Sequence, residues 1–342
     1  AISGEFALIS KLRERLERGG GERSAASAEV VLASGDDAAI TVPRGATATS
    51  VDLSVDGVHF RRSTASPRAI GHKAAAAALS DLAAMGATTG ELYVQLGLPP
   101  DLDEDACLEI ADGIADVATA HGAVVLGGDL ARAPVLVLAV TVVGHAHSKD
   151  ALVTRSGARA GDLVCVTGEL GGAAAGLALL ERPELADAVA PAIAADLRAR
   201  QLEPQPRLAS GGALAGAGAR AMIDVSDGLG ADAAHLANAS AVRIEIEAEL
   251  IPIAAGVREV AEAFGTDPIE LAAGGGEDYE LLVALAEAAY DDAAALLAGD
   301  AITLTPMGRV AAGEGVALRR RSGPELEIEG FDQLRARPQD PG

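Results

Sequence analysis

Lysine is scarce. Lys11, Lys73 and Lys149 are the only three in 342 residues, and the rest of the positive charge is arginine. No basic run offsets the 50 acidic residues, and a net charge of −23 repels a phosphate backbone, which argues against nucleic acid as a partner. The arginine- and alanine-rich composition reads as a coding bias, with a salt-adapted acidic surface as the alternative. Only two cysteines occur, Cys107 and Cys165, far apart and outside any metal-spaced motif. They read as buried small hydrophobes in a reducing compartment. The longest apolar stretch, residues 134–144, is too short to span a bilayer. The first residues lack the basic-then-apolar layout of a signal peptide, so a cytoplasmic protein is the expectation. Two nucleotide-binding signatures are missing as well. None of the lysines sits in a Gly-x-x-x-x-Gly-Lys-Ser/Thr setting, and the protein-kinase combination of Gly-rich loop, strand lysine and His-Arg-Asp is absent. A nucleotide enzyme without either must hold its polyphosphate through Asp-bound Mg²⁺, with Arg and backbone N–H groups helping.

What is present describes a compact protein. Hydrophobic residues make up 49% and charged residues 23%, and the length suffices for two domains with a core each. Apolar residues at helical spacing predict an N-terminal helix over 4–18, closed by Gly19-Gly20-Gly21, with a mobile loop to about 28. Residues 46–55 read as a strand. Ser66-Pro67 starts a helix by both rules, Ser as cap and Pro in the first turn, and that helix should run to about 86. Strands are expected over 91–98 and 135–143, the latter a buried run, with a helix over 102–121 between them. Polar residues 145–150 mark the expected junction. Beyond it, strands over 162–167, 242–246, 280–284 and 302–310 alternate with helices. The expected class is α/β (α+β), with an N-terminal domain over 1–147, a C-terminal domain over 148–333 and a tail over 334–342.

The most informative stretch is Ile223-Asp224-Val225-Ser226-Asp227-Gly228-Leu229-Gly230, an apolar run ending in Asp-x-Ser-Asp-Gly before a helical pattern. Side chains alternate along a strand, so Asp224 and Ser226 share a face. Alone, it reads equally as a capped strand-to-helix turn. Similar acidic stretches recur, however, at Asp36 and Asp37, Asp52, Asp81 and Asp129, read as strand ends or glycine-flanked turns. Converging carboxylates repel one another unless divalent cations neutralise them, and oxygen donors favour Mg²⁺, Mn²⁺ or Ca²⁺. A multi-Mg²⁺ nucleotide site is the reading these residues support.

Taken in order, Gly4-Glu5-Phe6, Gly35-Asp36-Asp37, Ser54-Val55-Asp56-Gly57-Val58-His59-Phe60, the stretch 79–86, Gly127-Gly128-Asp129, Thr154-Arg155-Ser156-Gly157, the stretch 223–229 and Gly275-Gly276-Glu277-Asp278-Tyr279-Glu280-Leu281 resemble the thiamine-monophosphate kinase family of the aminoimidazole-ribonucleotide-synthetase superfamily. Each motif is weak alone; the ordered set is specific and covers roughly residues 4–333. The resemblance implies a two-domain fold whose N-terminal sheet pairs across a homodimer. It also implies phosphorylation of thiamine monophosphate by ATP, with several Mg²⁺ ions and no general base. Position by position, it implies Asp37, Ser50, Asp52, Asp81, Asp129, Asp224 and Asp227 as metal ligands. Gly128, Asp129, Arg155 and Ser226 would contact ATP, and His59, Glu277 and Phe331 thiamine phosphate. Val51 departs from the pattern, standing where many members carry Thr beside the metal-binding Asp. Phe331 stands where Tyr or Trp occurs elsewhere. His72 and Lys73 read as surface groups, and the 168–176 stretch as either a phosphate loop or a tight packing turn.

Alternatives remain within and outside this class. A ring-forming synthetase shares the Asp motifs. A selenide-activating relative would be expected to carry a reactive N-terminal Cys, whereas the first one here is Cys107. A non-catalytic Mg²⁺-nucleotide sensor would keep the fold without needing several metals.

Overall fold

The computed structural model of the chain describes residues 4–17, 24–25, 28–34, 36–322 and 325–326. Phe331 and Gly35 therefore lie outside the described residues. The first part comprises α1 (Glu5–Glu17), β1 (Ser24–Ala25), β2 (Ala28–Leu32), β3 (Ile40–Pro43), β4 (Ala46–Val55), α2 (Pro67–Ala84), β5 (Thr88–Leu98), α3 (Glu104–Ala120), β6 (Val124–Arg132) and β7 (Val137–Ala146). Then follow β8 (Leu163–Thr167), α4 (Gly172–Glu181), α5 (Pro191–Leu202), α6 (Leu208–Gly216), β9 (Ala221–Asp224), α7 (Leu229–Ser240), β10 (Arg243–Glu247) and α8 (Val257–Phe264). The remainder is α9 (Pro268–Gly274), β11 (Leu281–Leu285), α10 (Tyr290–Ala298), β12 (Leu304–Ala311), β13 (Gly315–Arg319) and β14 (Glu325–Leu326).

The fold is mixed α/β. One sheet has the order β4-β7-β5-β6 and another the order β14-β13-β10-β12-β8-β11-β9; β1, β2 and β3 form a small third sheet. Ser24–Ala25 thus pairs with β2, inside the stretch read as a loop. In β8, Val164 and Val166 join a cluster with Ile223, Leu236 and Leu282, while Leu163 and Cys165 join another with Met222, Val283 and Leu297. The large sheet is therefore covered on both faces, which explains why β11 is buried along its whole length. Cys107 and Cys165 are free and buried, and burial raises their thiols to about 11 and about 12.

Helix α2 joins the two parts. Ser66 caps it, its Oγ accepting from Ala69 N at 3.2 Å, with Pro67 in the first turn. Its alanines let neighbours approach to backbone distance. A Cβ on Gly71 would lie 2.0 Å from Ile110 O of α3, and one on Gly211 of α6 2.0 Å from Ala83 O. A helix contacted by β4, β7, α3, α6 and β9 has no free polar face, hence its apolar, small-residue composition. Along β4, Ser50, Asp52 and Ser54 face this helix, while Val51 and Leu53 face away and are 68% and 50% exposed.

Candidate active site

A cavity of about 500 Å³ opens where α2, the β4–α2 connection, α4, α5 and the loops after β9 and α9 meet. Asp52, Asp81, Asp224 and Asp227 line it together with Ser226. The structure brings these five expected residues to one place. Ser50 stands beside them, donating from Oγ to Asp81 Oδ2. The local settings differ from the sequence reading. Asp52 lies within β4 and Asp81 within α2, so neither occupies a turn. Asp129 and Gly128 also lie inside a strand, β6, which forms the edge opposite β4. Three strand spacings, about 14 Å, separate those edges. Neither Asp129, Gly128 nor the exposed Asp37 lines the cavity. Val51 points to the other face of the sheet, so its side chain is no neighbour of Asp52.

The acidic wall is held by buried partners. Ser80, one residue before Asp81, donates to Asp224 Oδ2 at 2.7 Å across the two parts of the chain. Burial first, and the Asp81 charge second, push the Asp224 carboxyl up to about 7. Burial likewise raises Asp52 and Asp227. Arg155, exposed on its loop, lies close enough for its charge to act against the rise of Asp224 and Asp227. Asp232, which sequence reasoning missed, accepts from Ser226 N at 3.0 Å and Asp227 N at 3.1 Å and so shapes the turn. Its carboxyl is raised to about 8, by burial above all. Its signal was available: an acid in the first turn of α7, following two residues with free N–H groups.

Repulsion among these carboxylates is the feature a divalent cation relieves, and hard oxygen donors suit Mg²⁺. Among the described residues no group of three or more His, Cys, Asp or Glu side chains is set to hold a metal ion. The donor set thus fits Mg²⁺ bound in its usual way, through one or two carboxylates with water and substrate phosphate completing the shell.

The adjoining wall of the cavity is built by residues 274–279. Glu277 N donates to Ser226 O at 2.8 Å and Tyr279 N to Val225 O at 2.9 Å, laddering this loop onto the Asp224–Asp227 turn. Gly276 is required there, since a Cβ would stand 2.4 Å from Ser226 O. Glu277 and Tyr279 have φ of +69° and +50°, the left-handed region that costs a non-glycine residue on the order of 1–2 kcal/mol. The loop is pinned by Asp278, whose carboxylate accepts from Gly171 N at 2.7 Å and Ala173 N at 3.0 Å at the start of α4. Residues 168–171 are therefore a packing turn in this structure, tied to the loop and leading into α4.

Both Glu277 oxygens are occupied. Lys73 Nζ lies 2.8 Å from Oε1, and Gln201 Nε2 donates to Oε2 at 2.7 Å. Lys73 is 7% exposed and also donates to the His59 carbonyl at 3.3 Å. The expectation that Lys73 is a surface group is overturned: its side chain lines the cavity. Its position eight residues before Asp81 on one helix was the sequence signal. His59 lines the cavity too, its Nδ1 accepting from Val55 N at 3.1 Å.

Comparison with known proteins adds to this geometry. The family model for the AIR synthase related protein N-terminal domain matches residues 35–146, and that for the C-terminal domain matches 159–321. The thiamine-monophosphate kinase of Mycobacterium tuberculosis is 40% identical over 281 residues, 82% of this chain and 80% of that protein. The chain belongs to the thiamine-monophosphate kinase family. A crystal structure of the family member from Stenotrophomonas maltophilia superposes with a TM-score of 0.80 at 38% identity, covering 92% of this chain and 96% of that one. A structure of AaThiL complexed with AMPPCP and TMP superposes with a TM-score of 0.73 at 31% identity, covering 96% of each chain. Among the described residues no helix is long and apolar enough to cross a membrane.

Proposed function

We propose that this protein transfers the γ-phosphoryl group of ATP directly to thiamine monophosphate, giving thiamine diphosphate. The observation that carries the reading is one cavity lined both by a carboxylate wall and by the Lys73–Glu277 pair with apolar neighbours. The names of the family relatives, and the AaThiL complex with AMPPCP and TMP, support it. Asp52, Asp81, Asp224 and Asp227, with Ser50, are the residues that would hold Mg²⁺. The chemistry that Mg²⁺ would supply there is neutralisation of the repulsion between two polyanions and polarisation of the transferred phosphoryl group. Ser226, which lines the cavity, would contact the nucleotide, while Arg155, Asp37, Gly128 and Asp129, which do not line it, remain assigned to it on the family pattern. Phe331 remains assigned to thiamine phosphate on the same ground.

The chain's own task is positioning. A phosphate monoester has its second pKa near 6, so the acceptor is largely dianionic at neutral pH and no side chain has to remove a proton. His59, Lys73 and the 274–279 loop place the organic end of the acceptor, and Asp232 and Ser80 fix the carboxylates that face the phosphates. In-line attack follows from holding both ends at once. The junction near 147 and a cytoplasmic location belong to the same proposal. So does a homodimer through the N-terminal sheet: Val51 and Leu53 leave one face of β4 apolar and exposed, as a surface awaiting a second copy would be. The test is a phosphate-transfer assay with ATP against thiamine monophosphate, thiamine and aminoimidazole precursors. Thiamine monophosphate should be the accepted substrate; turnover of another acceptor in its place refutes the reading.

A further inference from the structure

Of the Phe and Tyr rings that line the cavity, Phe60 and Tyr279 are buried, whereas Phe264 is 36% exposed. An exposed phenyl ring in a cavity wall is apolar surface open to a ligand. Phe264 ends α8 and is followed by Gly265, whose φ of +86° stops the helix. One face of the ring is covered: the guanidinium carbon of Arg182 lies 4.4 Å from the ring centroid. Arg182 does not line the cavity, so the cavity meets the ring elsewhere than at that cation.

Two helices place this ring. A Cβ on Gly171 would stand 3.1 Å from Val257 Cγ1, so α8 begins beside the turn that Asp278 pins at the start of α4. Both helices run on from there, and Arg182, just past the end of α4, meets Phe264 at the end of α8. Seven residues of α8, a rise of about 10 Å, therefore separate the ring from that turn. Next to Arg182, Glu181 pairs with Arg61 at 2.5 Å, and half-buried Leu177 and Leu180 of α4 line the cavity. The wall there is apolar, and its charges are matched among themselves. An uncharged flat ring fits it. A cationic ring fits less well, since the Arg182 charge on one face of Phe264 opposes a second cation brought to the same ring.

We propose that Phe264 is a specificity-determining residue whose ring stacks with the uncharged aminopyrimidine of the acceptor. Arg182 is the positioning residue that holds the ring and biases it against a cation. The inference rests on the thiamine monophosphate reading and deepens it: the thiazolium, which carries the phosphate-bearing chain, lies between this ring and the carboxylates.

The experiment compares kcat/KM for thiamine monophosphate with that for an analogue in which a methyl group replaces the whole pyrimidinylmethyl group. Phe264→Leu keeps apolar bulk without a π face and should lower the ratio of the two by about fivefold, whereas Phe264→Tyr should keep it within about twofold of wild type. A second analogue carries a cationic N-methylpyridinium in place of the aminopyrimidine. Arg182→Met should raise kcat/KM for that analogue, relative to thiamine monophosphate, by about threefold. Each ratio is read within one variant, so any loss of folded protein cancels from it. A wild-type ratio in Phe264→Leu overturns the proposal, and a wild-type ratio in Arg182→Met removes Arg182 from it. Failure of the wild-type protein to phosphorylate thiamine monophosphate at all overturns the functional reading and this inference together; transfer with unchanged ratios overturns this inference alone.

Discussion

Asp278 gives the sharpest test of how the substrate loop is held. Its carboxylate accepts two backbone N–H groups at the start of α4, which favours the ionised form, yet burial outweighs them and lifts the carboxyl from an ordinary 3.8 to about 7. Between about pH 4 and pH 7 the native state keeps a proton that the unfolded chain has released. Stability therefore falls as pH rises through that window and levels off above it. The difference corresponds to about 4 kcal/mol at most. Asp224 and Asp232 titrate in a similar range, so the isolating measurement is a comparison of Asp278→Asn with wild type by urea denaturation from pH 5 to pH 8, without divalent cations. The variant cannot titrate and should show a shallower decline, by up to about 2–3 kcal/mol between pH 5 and pH 8. It should also raise KM for thiamine monophosphate, because Asp278 anchors the loop that carries Glu277. Superimposable pH profiles for the two proteins would refute the argument that burial governs this carboxyl.

Other expectations concern the rest of the site and its scaffold. Asp81→Asn and Asp224→Asn should each lower kcat by about 100-fold or more in saturating Mg²⁺, and near wild-type turnover in steady-state assays would contradict the carboxylate wall. Gly71→Ala drives a methyl group into the Ile110 carbonyl at 2.0 Å and should destabilise the α2–α3 contact by about 1–3 kcal/mol, read as a lowered thermal midpoint. Leu53→Asp places a charge on the exposed face of β4 and should shift sedimentation at micromolar concentration from dimer to monomer; a wild-type protein that sediments as a monomer removes the dimer from the account.

Much of this arrangement was legible because local chemistry agreed with the fold. Residues 46–55 and the Ser66-Pro67 helix start follow from alternation and capping, and the structure keeps both. Asp224, Ser226 and Asp227 were identifiable from a strand end followed by glycine. What could not be read was long-range. Asp129 looked like a turn residue because Gly127 and Gly128 precede it, but strand pairing with β5 overrides that local signal and carries β6 on to Arg132. Lys73 looked exposed because a lysine on an alanine-rich helix usually is. Only the packing of α2 against both halves of the chain shows that it meets Glu277. Gln201 offered no signal at all, since its hydrogen bond to Glu277 joins residues 76 apart in sequence and exists only in the folded protein.

The central claim is direct transfer between two substrates held in one cavity, and a single-turnover experiment with γ-labelled ATP tests it most directly. With thiamine monophosphate and Mg²⁺ present, the label should appear in the terminal phosphate of thiamine diphosphate, none should be trapped on the protein, and omission of Mg²⁺ should abolish transfer. Label bound covalently to the protein, or released as inorganic phosphate while thiamine monophosphate stays unchanged, would contradict the account.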